Sequence, residues 1–310
     1  SDLAAGEKLI SSDVGGDMNG KINYYGNLAL QARVALSKDD FTTALAKAEQ
    51  IINSKKYSLY SNAEWASSWS KQYASESIFE LAMYDNEGDL GSSSLGAYYC
   101  RALDYSKSTF AYFGASNQFI ARLAEDPQDI RHSVMSYDEK SKSFDKSYAT
   151  DREGACYKYL GGLSKPGDGK TASSAVNVKI IRLSEIYLIA AEAALRQATP
   201  DKTKAAEYLQ AIRKRSPNLA PATAANITLD MILNEKSKEF YGEGQRFFDM
   251  IRCNKSITFD DETPDAVNLH REHTIDRTFY KCILPIFKDE FNANPAIKGQ
   301  QNPGYGGTEE

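Results

Sequence analysis

The residues best placed to do chemistry are few. His270 and His273 sit three apart in LHREHTID, beside Glu272 and Asp276, and are two of the three histidines in the chain. On a helix the two imidazoles would share a face and could hold a metal ion. No third ligand follows at a defined spacing, so a solvated charged turn is the better account of the pair. The four cysteines, Cys100, Cys156, Cys253 and Cys282, lie far apart with no CxxC among them. They fit neither a zinc site nor a dense disulfide framework, and they leave the redox compartment open. GDGKT at 167–171 has the end of a phosphate loop, but that loop needs glycine where the chain has Ser164. No apolar strand precedes it, which removes the nucleotide reading. GSSSLG at 91–96 is not a nucleophile elbow. Acidic residues are plentiful, yet no pair stands in apolar surroundings that would split their pKa values for glycoside hydrolysis. These residues argue against catalysis, and their spacing supports no metal site.

Binding chemistry is better represented. The chain has 19 tyrosines against two tryptophans and 13 phenylalanines, and tyrosine joins an apolar ring to a polar tip. Trp65 and Trp69 are four apart and would share a helical face, a spacing that more often serves core packing. Tyr98 and Tyr99 are adjacent, so both cannot face one core. Tyr84 stands with Asp85 and Asn86, and Tyr105 follows Asp104. Rings beside hydrogen-bonding groups in loop-like sequence suit sugar or peptide binding, where flat faces stack and polar groups fix orientation. Trp65, Trp69, Tyr84, Asp85, Tyr98, Tyr99 and Tyr105 are therefore the candidate ligand-binding residues.

Three segments carry the helical period that would position them. In residues 24–53, Leu28, Ala32, Ala35 and Leu36 recur at helical spacing, SKDD turns the chain, and Phe41, Leu45, Ala48 and Ile52 follow. In residues 178–216, Ile181, Ser184, Leu188, Ala191 and Leu195 line one face, TPDK breaks it, and Ala205, Leu209 and Ile212 line a second helix. Each is a helical hairpin of the tetratricopeptide kind, too far apart for a tandem array. The third, NITLDMILNEKSKEFY, runs into Gly242, which stops the helix before a short helix from Gly244 to Arg252. Glu239, Glu243, Arg246, Asp249 and Arg252 would form a structural ion-pair lattice at that corner. Glycine there implies either a helix end or a close backbone approach. Residues 61–175 form an irregular insert rich in Gly, Ser and aromatics, and 278–305 is one strand-like run and then coil.

Composition adds exclusions. A net charge of −5 with 25% charged residues makes no electrostatic case for nucleic acid or an anionic membrane surface. Nothing reaches the roughly 18 apolar residues of a membrane span. No basic-then-apolar leader begins the sequence.

Four blocks in order resemble the SusD/RagB family. KEFYGEGQRFFDMIRCNK, with Glu235 upstream, is similar to the family's E-x3-E-x3-EG-x-R-x-x-D-x-x-R block. IIRLSEIYLIAAEAAL resembles its RL-x-E-x-YLI-x-AEA helix, LPIFKDEFNANPAIKGQQNPGY its closing LPIP…NP…QNPGY, and the hairpin at 24–53 its earlier tetratricopeptide unit. Lys236, often arginine in the family, and Phe287, usually polar or proline, depart from the pattern. The chain also starts just before the first hairpin, as a short or trimmed member would. The resemblance implies a mainly α fold, tetratricopeptide-like, with residues 1–310 as one SusD-like domain, 61–175 facing the ligand and 178–254 forming the second hairpin and corner. It implies a lipid-anchored protein on the outer membrane, exposed at the cell surface and without cofactor or catalysis. Its ligand would be an oligosaccharide, and its partner a SusC-like TonB-dependent transporter. A peptide-binding member and a helical glycoside hydrolase are the alternatives.

Overall fold

The computed structural model describes residues 2–12, 20–82, 95–99, 114–134, 156, 158–159, 161–162, 165–166, 177–259 and 272–305. The chain divides into two compact units, Ser1–Gly244 and Gln245–Glu310.

The first unit is built on helices. After α1 (Asp2–Glu7), Asn23 caps α2 (Tyr24–Ser37) by accepting from Gly26 N at 2.8 Å. Asp40 likewise caps α3 (Phe41–Ser54), accepting from Thr43 N at 3.1 Å. Each side-chain oxygen satisfies a backbone donor the helix leaves unpaired, worth about 1 kcal/mol. The short linker folds the pair into a hairpin whose buried faces carry Leu28, Ala32 and Ala35 against Ala44, Ala48 and Ile51. Alanines at the contact let the backbones approach. Among the described residues, three further α-helices come before the second hairpin: α4 (Asn62–Ser68), α5 (Leu95–Tyr99) and α6 (Asn117–Ala124). That hairpin is α7 (Leu183–Arg196) and α8 (Lys202–Arg213). α7 is apolar nearly all round, as a helix with neighbours on every side must be, and it packs against α2, α3 and α8. Arg33 of α2 clamps Glu185 of α7 with two bonds of 2.7 Å and reaches Ile180 O at 2.9 Å.

One stretch departs from the helical expectation. Residues 178–182 form a strand, Val178–Arg182, paired antiparallel with Ser77–Leu81 from the start of the insert. Phe79 faces Ile181, and Glu80 faces Lys179. Val178, Ile180 and Ile181 are β-branched, and half-buried Val178 and Ile180 alternate with buried Lys179 and Ile181, which suits a pleated strand better than a helix turn. The apolar run had been long enough to read as a continuation of α7.

Thr228 caps α9 (Leu229–Glu239), accepting from Met231 N at 3.1 Å. The helix ends at Phe240, and Gly242 follows with φ of +78°, the left-handed region that glycine tolerates.

The second unit begins with α10 (Arg246–Arg252), two residues shorter at its start than the sequence implied. Ile257 and Thr258 pair antiparallel with Ile275 and Thr274. The apolar run ILPIF does not join a strand among the described residues. Side chains from the closing QNPGY hold it: Gln301 bonds Ile286 N and O at 2.8 and 3.0 Å, and Tyr305 Oη donates to Ile283 O at 2.9 Å. Proline at 285 removes a ladder donor, so side-chain amides replace a partner strand. The chain ends its described part beyond α11 (Lys288–Ala293), where Gly304 lies against the Tyr280 ring with no room for a Cβ.

Candidate functional site

The insert begins with the two tryptophans. Ser61 and Glu64 form a capping box that starts α4, placing Trp65 and Trp69 one turn apart with ring centroids at 5.8 Å. Both indoles are buried, 0% and 6% exposed, together with Tyr60 and Val134. Cations occupy their surroundings. Lys158 Nζ lies 4.5 Å and the Arg182 guanidinium 4.9 Å from the Trp69 ring centroid, and Arg215 lies 5.3 Å from that of Trp65. The expectation that Trp65 and Trp69 stack on ligand is therefore corrected. Their π faces stabilise buried cations, which leaves no face for a sugar.

α5 carries the other described candidates. Tyr98 is 37% exposed, while Tyr99 is half-buried with its ring 5.9 Å from that of Tyr159. The two neighbours thus divide between surface and interior. Tyr84, Asp85 and Tyr105 lie outside the described residues, as does His270.

The indoles border a buried lattice of charge centred on the end of α9. Arg182 donates to both Glu243 oxygens at 3.0 and 2.8 Å, to Glu239 Oε1 at 2.9 Å and to Glu239 O at 3.1 Å. Arg215 reaches Glu76 at 2.7 Å and Glu239 at 3.3 Å. Arg131 pairs with Asp129 at 2.6 Å and Glu235 at 2.7 Å. Lys158 donates to Glu239 O at 2.8 Å and to Glu243 at 2.7 Å. Burial alone would raise the pKa of Glu239, but Arg215, Arg182 and Arg131 outweigh it and hold the carboxyl down at about 2. Asp129 is lowered too, by Arg131 above all, against the opposing pull of its burial. These groups stay ionised and paired, which suits a scaffold and not a proton donor working near neutrality.

Glu239 and Glu243 were expected to join Arg246, Asp249 and Arg252 in one ion-pair lattice. Their partners here come from distant parts of the chain: Arg182, Arg215, Arg131 and Lys158. In the second unit, Arg252 bonds Asp249 within one helical turn, Nε to Oδ1 at 3.0 Å. The sequence reading missed Arg131, Lys158, Arg215, Glu76 and Asp129 altogether. Arg182 alone carried a signal, as the arginine opening RL-x-E.

The glycine at 242 has a second role. A Cβ there would meet Cys156 Sγ at 2.8 Å, closer than real contacts allow. Tyr159 Oη donates to Gly242 O at 2.8 Å, and Phe119 stacks on Tyr241 at 4.4 Å. So this glycine both reverses the helix end and admits a neighbouring segment.

The chain's matches to known proteins agree with this architecture. The SusD family model matches residues 42–305, and the chain belongs to that family. A SusD superfamily protein from Bacteroides thetaiotaomicron superposes with a TM-score of 0.80 at 30% identity, over 97% of this chain and 64% of its own. A Bacteroides vulgatus SusD superfamily protein is 33% identical, with a TM-score of 0.79 over 98% and 64%. A candidate sugar-binding protein from the same species is 31% identical, with a TM-score of 0.77 over 98% and 64%. The chain thus spans under two thirds of the length of these structures. A search of curated proteins finds none that matches. Among the described residues no helix is long and apolar enough to cross a membrane.

Proposed function

We propose that this chain captures oligosaccharide at the cell surface, without catalysing a reaction on it, and delivers it to a partner TonB-dependent transporter of the outer membrane. A lipid anchor would hold the protein at that membrane. The observation carrying the reading is the α5 tyrosine pair, Tyr98 open and Tyr99 half-buried, in a chain of the SusD family. A neighbour sharing 31% identity described as a candidate sugar binder supports the ligand class. Tyr84, Asp85 and Tyr105 complete the proposed site, with Trp65 and Trp69 removed from it. Neutral sugars release no counterions, so binding should depend only weakly on salt.

The test is a printed array of neutral oligosaccharides, followed by calorimetry with the glycan retained. Tyr98→Ala should weaken binding by about 1–3 kcal/mol, by analogy with bases stacked on aromatic platforms, at unchanged melting temperature. Failure to retain any glycan, or hydrolysis of one, would overturn the reading.

A further inference from the structure

Cys156, Lys158 and Tyr159 dock on the turn that ends α9, and the contacts are unlike ordinary loop packing. Lys158 is fully buried, its ammonium held by a carbonyl, a carboxylate and an indole face. Tyr159 Oη closes on Gly242 O, while the missing Cβ of Gly242 makes room for Cys156 Sγ. The backbone N of Cys156 donates to Tyr99 O at 3.0 Å, and the Tyr159 ring lies beside that of Tyr99. One continuous set of contacts therefore runs from α9 through Lys158 and its neighbours to α5.

We propose that Lys158 is a positioning residue: its ammonium plugs the socket formed by Glu239 O, Glu243 and Trp69, and so fixes Tyr98 and Tyr99 for stacking. The link to ligand rests on the functional reading above; the mooring of α5 does not. The scaffold keeps its own bonds without the plug. Glu243 retains both bonds from Arg182, and Trp69 retains the Arg182 guanidinium over its ring. Removing the ammonium thus loosens the docked segment and leaves the lattice closed. Mooring by a buried ion confines the cost of release to this segment, which can then open without global unfolding.

Burial also supplies a reporter. It pushes the Cys156 thiol up to about 11, so alkylation in the closed state is slow and requires opening. The experiment compares wild type, Lys158→Met and Tyr159→Phe by iodoacetamide labelling of Cys156, mapped by mass spectrometry, with amide exchange at Cys156 read in parallel. Loss of the Lys158 ammonium should speed labelling and exchange about ten- to a hundredfold, and loss of the neutral Tyr159 hydroxyl about two- to tenfold, with little change in melting temperature. On the oligosaccharide array, Lys158→Met should weaken retention in the wild-type background and add nothing in a Tyr98→Ala, Tyr99→Ala background. A merely structural lysine would weaken both backgrounds equally. Unchanged labelling and exchange in both variants overturn the proposal. So does faster labelling with undiminished glycan retention. If wild type retains no glycan, the functional reading fails, and accelerated exchange at the Cys156–Tyr99 bond still establishes the mooring.

Discussion

α7 and α9 both run through the interior of the first unit, by opposite chemistry. α7 buries Leu183, Ile186, Leu188, Ile189 and a series of alanines; α9 buries Glu235, Lys236, Lys238 and Glu239 beside Ile232 and Leu233. Apolar burial is non-directional and roughly proportional to area, so most of α7 needs only neighbours of suitable shape. Its two buried carboxylates are met by Arg33 at Glu185 and by Arg196 and Lys236 at Glu192. Charge burial costs several kcal/mol per ion unless geometry and hydrogen bonds compensate. α9 therefore needs particular partners in particular places, and they come from four separate stretches: Asp129 with Arg131, Arg182, Glu192 and Arg215. The first helix is held mainly by bulk, the second mainly by wiring.

Breaking one wire should have the largest effect. Arg182→Met removes three hydrogen bonds to two buried carboxylates, one to the Glu239 carbonyl, and the cation over Trp69. Leaving buried charge unpaired costs about 3–5 kcal/mol, which urea unfolding would read as a large fall in midpoint. A loss below about 1 kcal/mol would mean that water or rearrangement replaces the guanidinium, and the contrast with α7 would dissolve.

Acid sharpens the same contrast. The Glu239 pKa falls from an ordinary 4.5 to about 2 on folding, so the folded state binds the proton less readily than the unfolded. Its contribution is complete above the unfolded value and is lost as pH falls from about 4.5 towards 2. A depression of that size corresponds to about 3 kcal/mol. Asp129 is depressed also and acts with the same sign. Wild type should lose stability steeply in this window, and Glu239→Gln should flatten the slope. Leu188→Ala in α7 should lower stability by about 2–5 kcal/mol at every pH, leaving the slope alone. Equal slopes in wild type and Glu239→Gln would show that Glu239 is not held low.

The contrast also explains what could be read from residues alone. The hairpins were legible because α2, α3, α7 and α8 carry their reason for folding in their own spacing: small and branched apolar residues at one period. α9 was legible as a helix but not as a buried one, since Glu235, Lys238 and Glu239 match a solvated face equally well. What distinguishes the two cases is the presence of Arg131, Arg182 and Arg215, which lie between 20 and more than 100 residues away. The tryptophans failed for the same reason. Trp65 and Trp69 had a ring spacing that fits either role, and the cations that settle it come from positions 158, 182 and 215. Val178–Arg182 was misread because the strand joins α7 without a turn, and its partner at Ser77–Leu81 is about 100 residues earlier. Order and family were readable; long-range pairing was not.

The smallest effect belongs to an ion pair that sequence spacing did foresee. Asp249 and Arg252 meet three residues apart on α10, with 9% and 14% of their side-chain surfaces exposed. Unlike the members of the α9 lattice, they are joined within a single helical turn, so forming the pair closes no long loop. Pairs at this spacing contribute a few tenths of a kcal/mol on open helices, and partial burial raises that to about 1 kcal/mol. Arg252→Ala should therefore lower the midpoint of unfolding slightly and leave glycan retention on the array unchanged. The decisive measurement sets it beside Arg182→Met under identical conditions. A clear excess for Arg182 says that buried charge stabilises this fold through its long-range connections. Comparable losses would say that local pairs at the helix corner matter as much, and that the family's patterned Asp and Arg at 249 and 252 are structural in their own right.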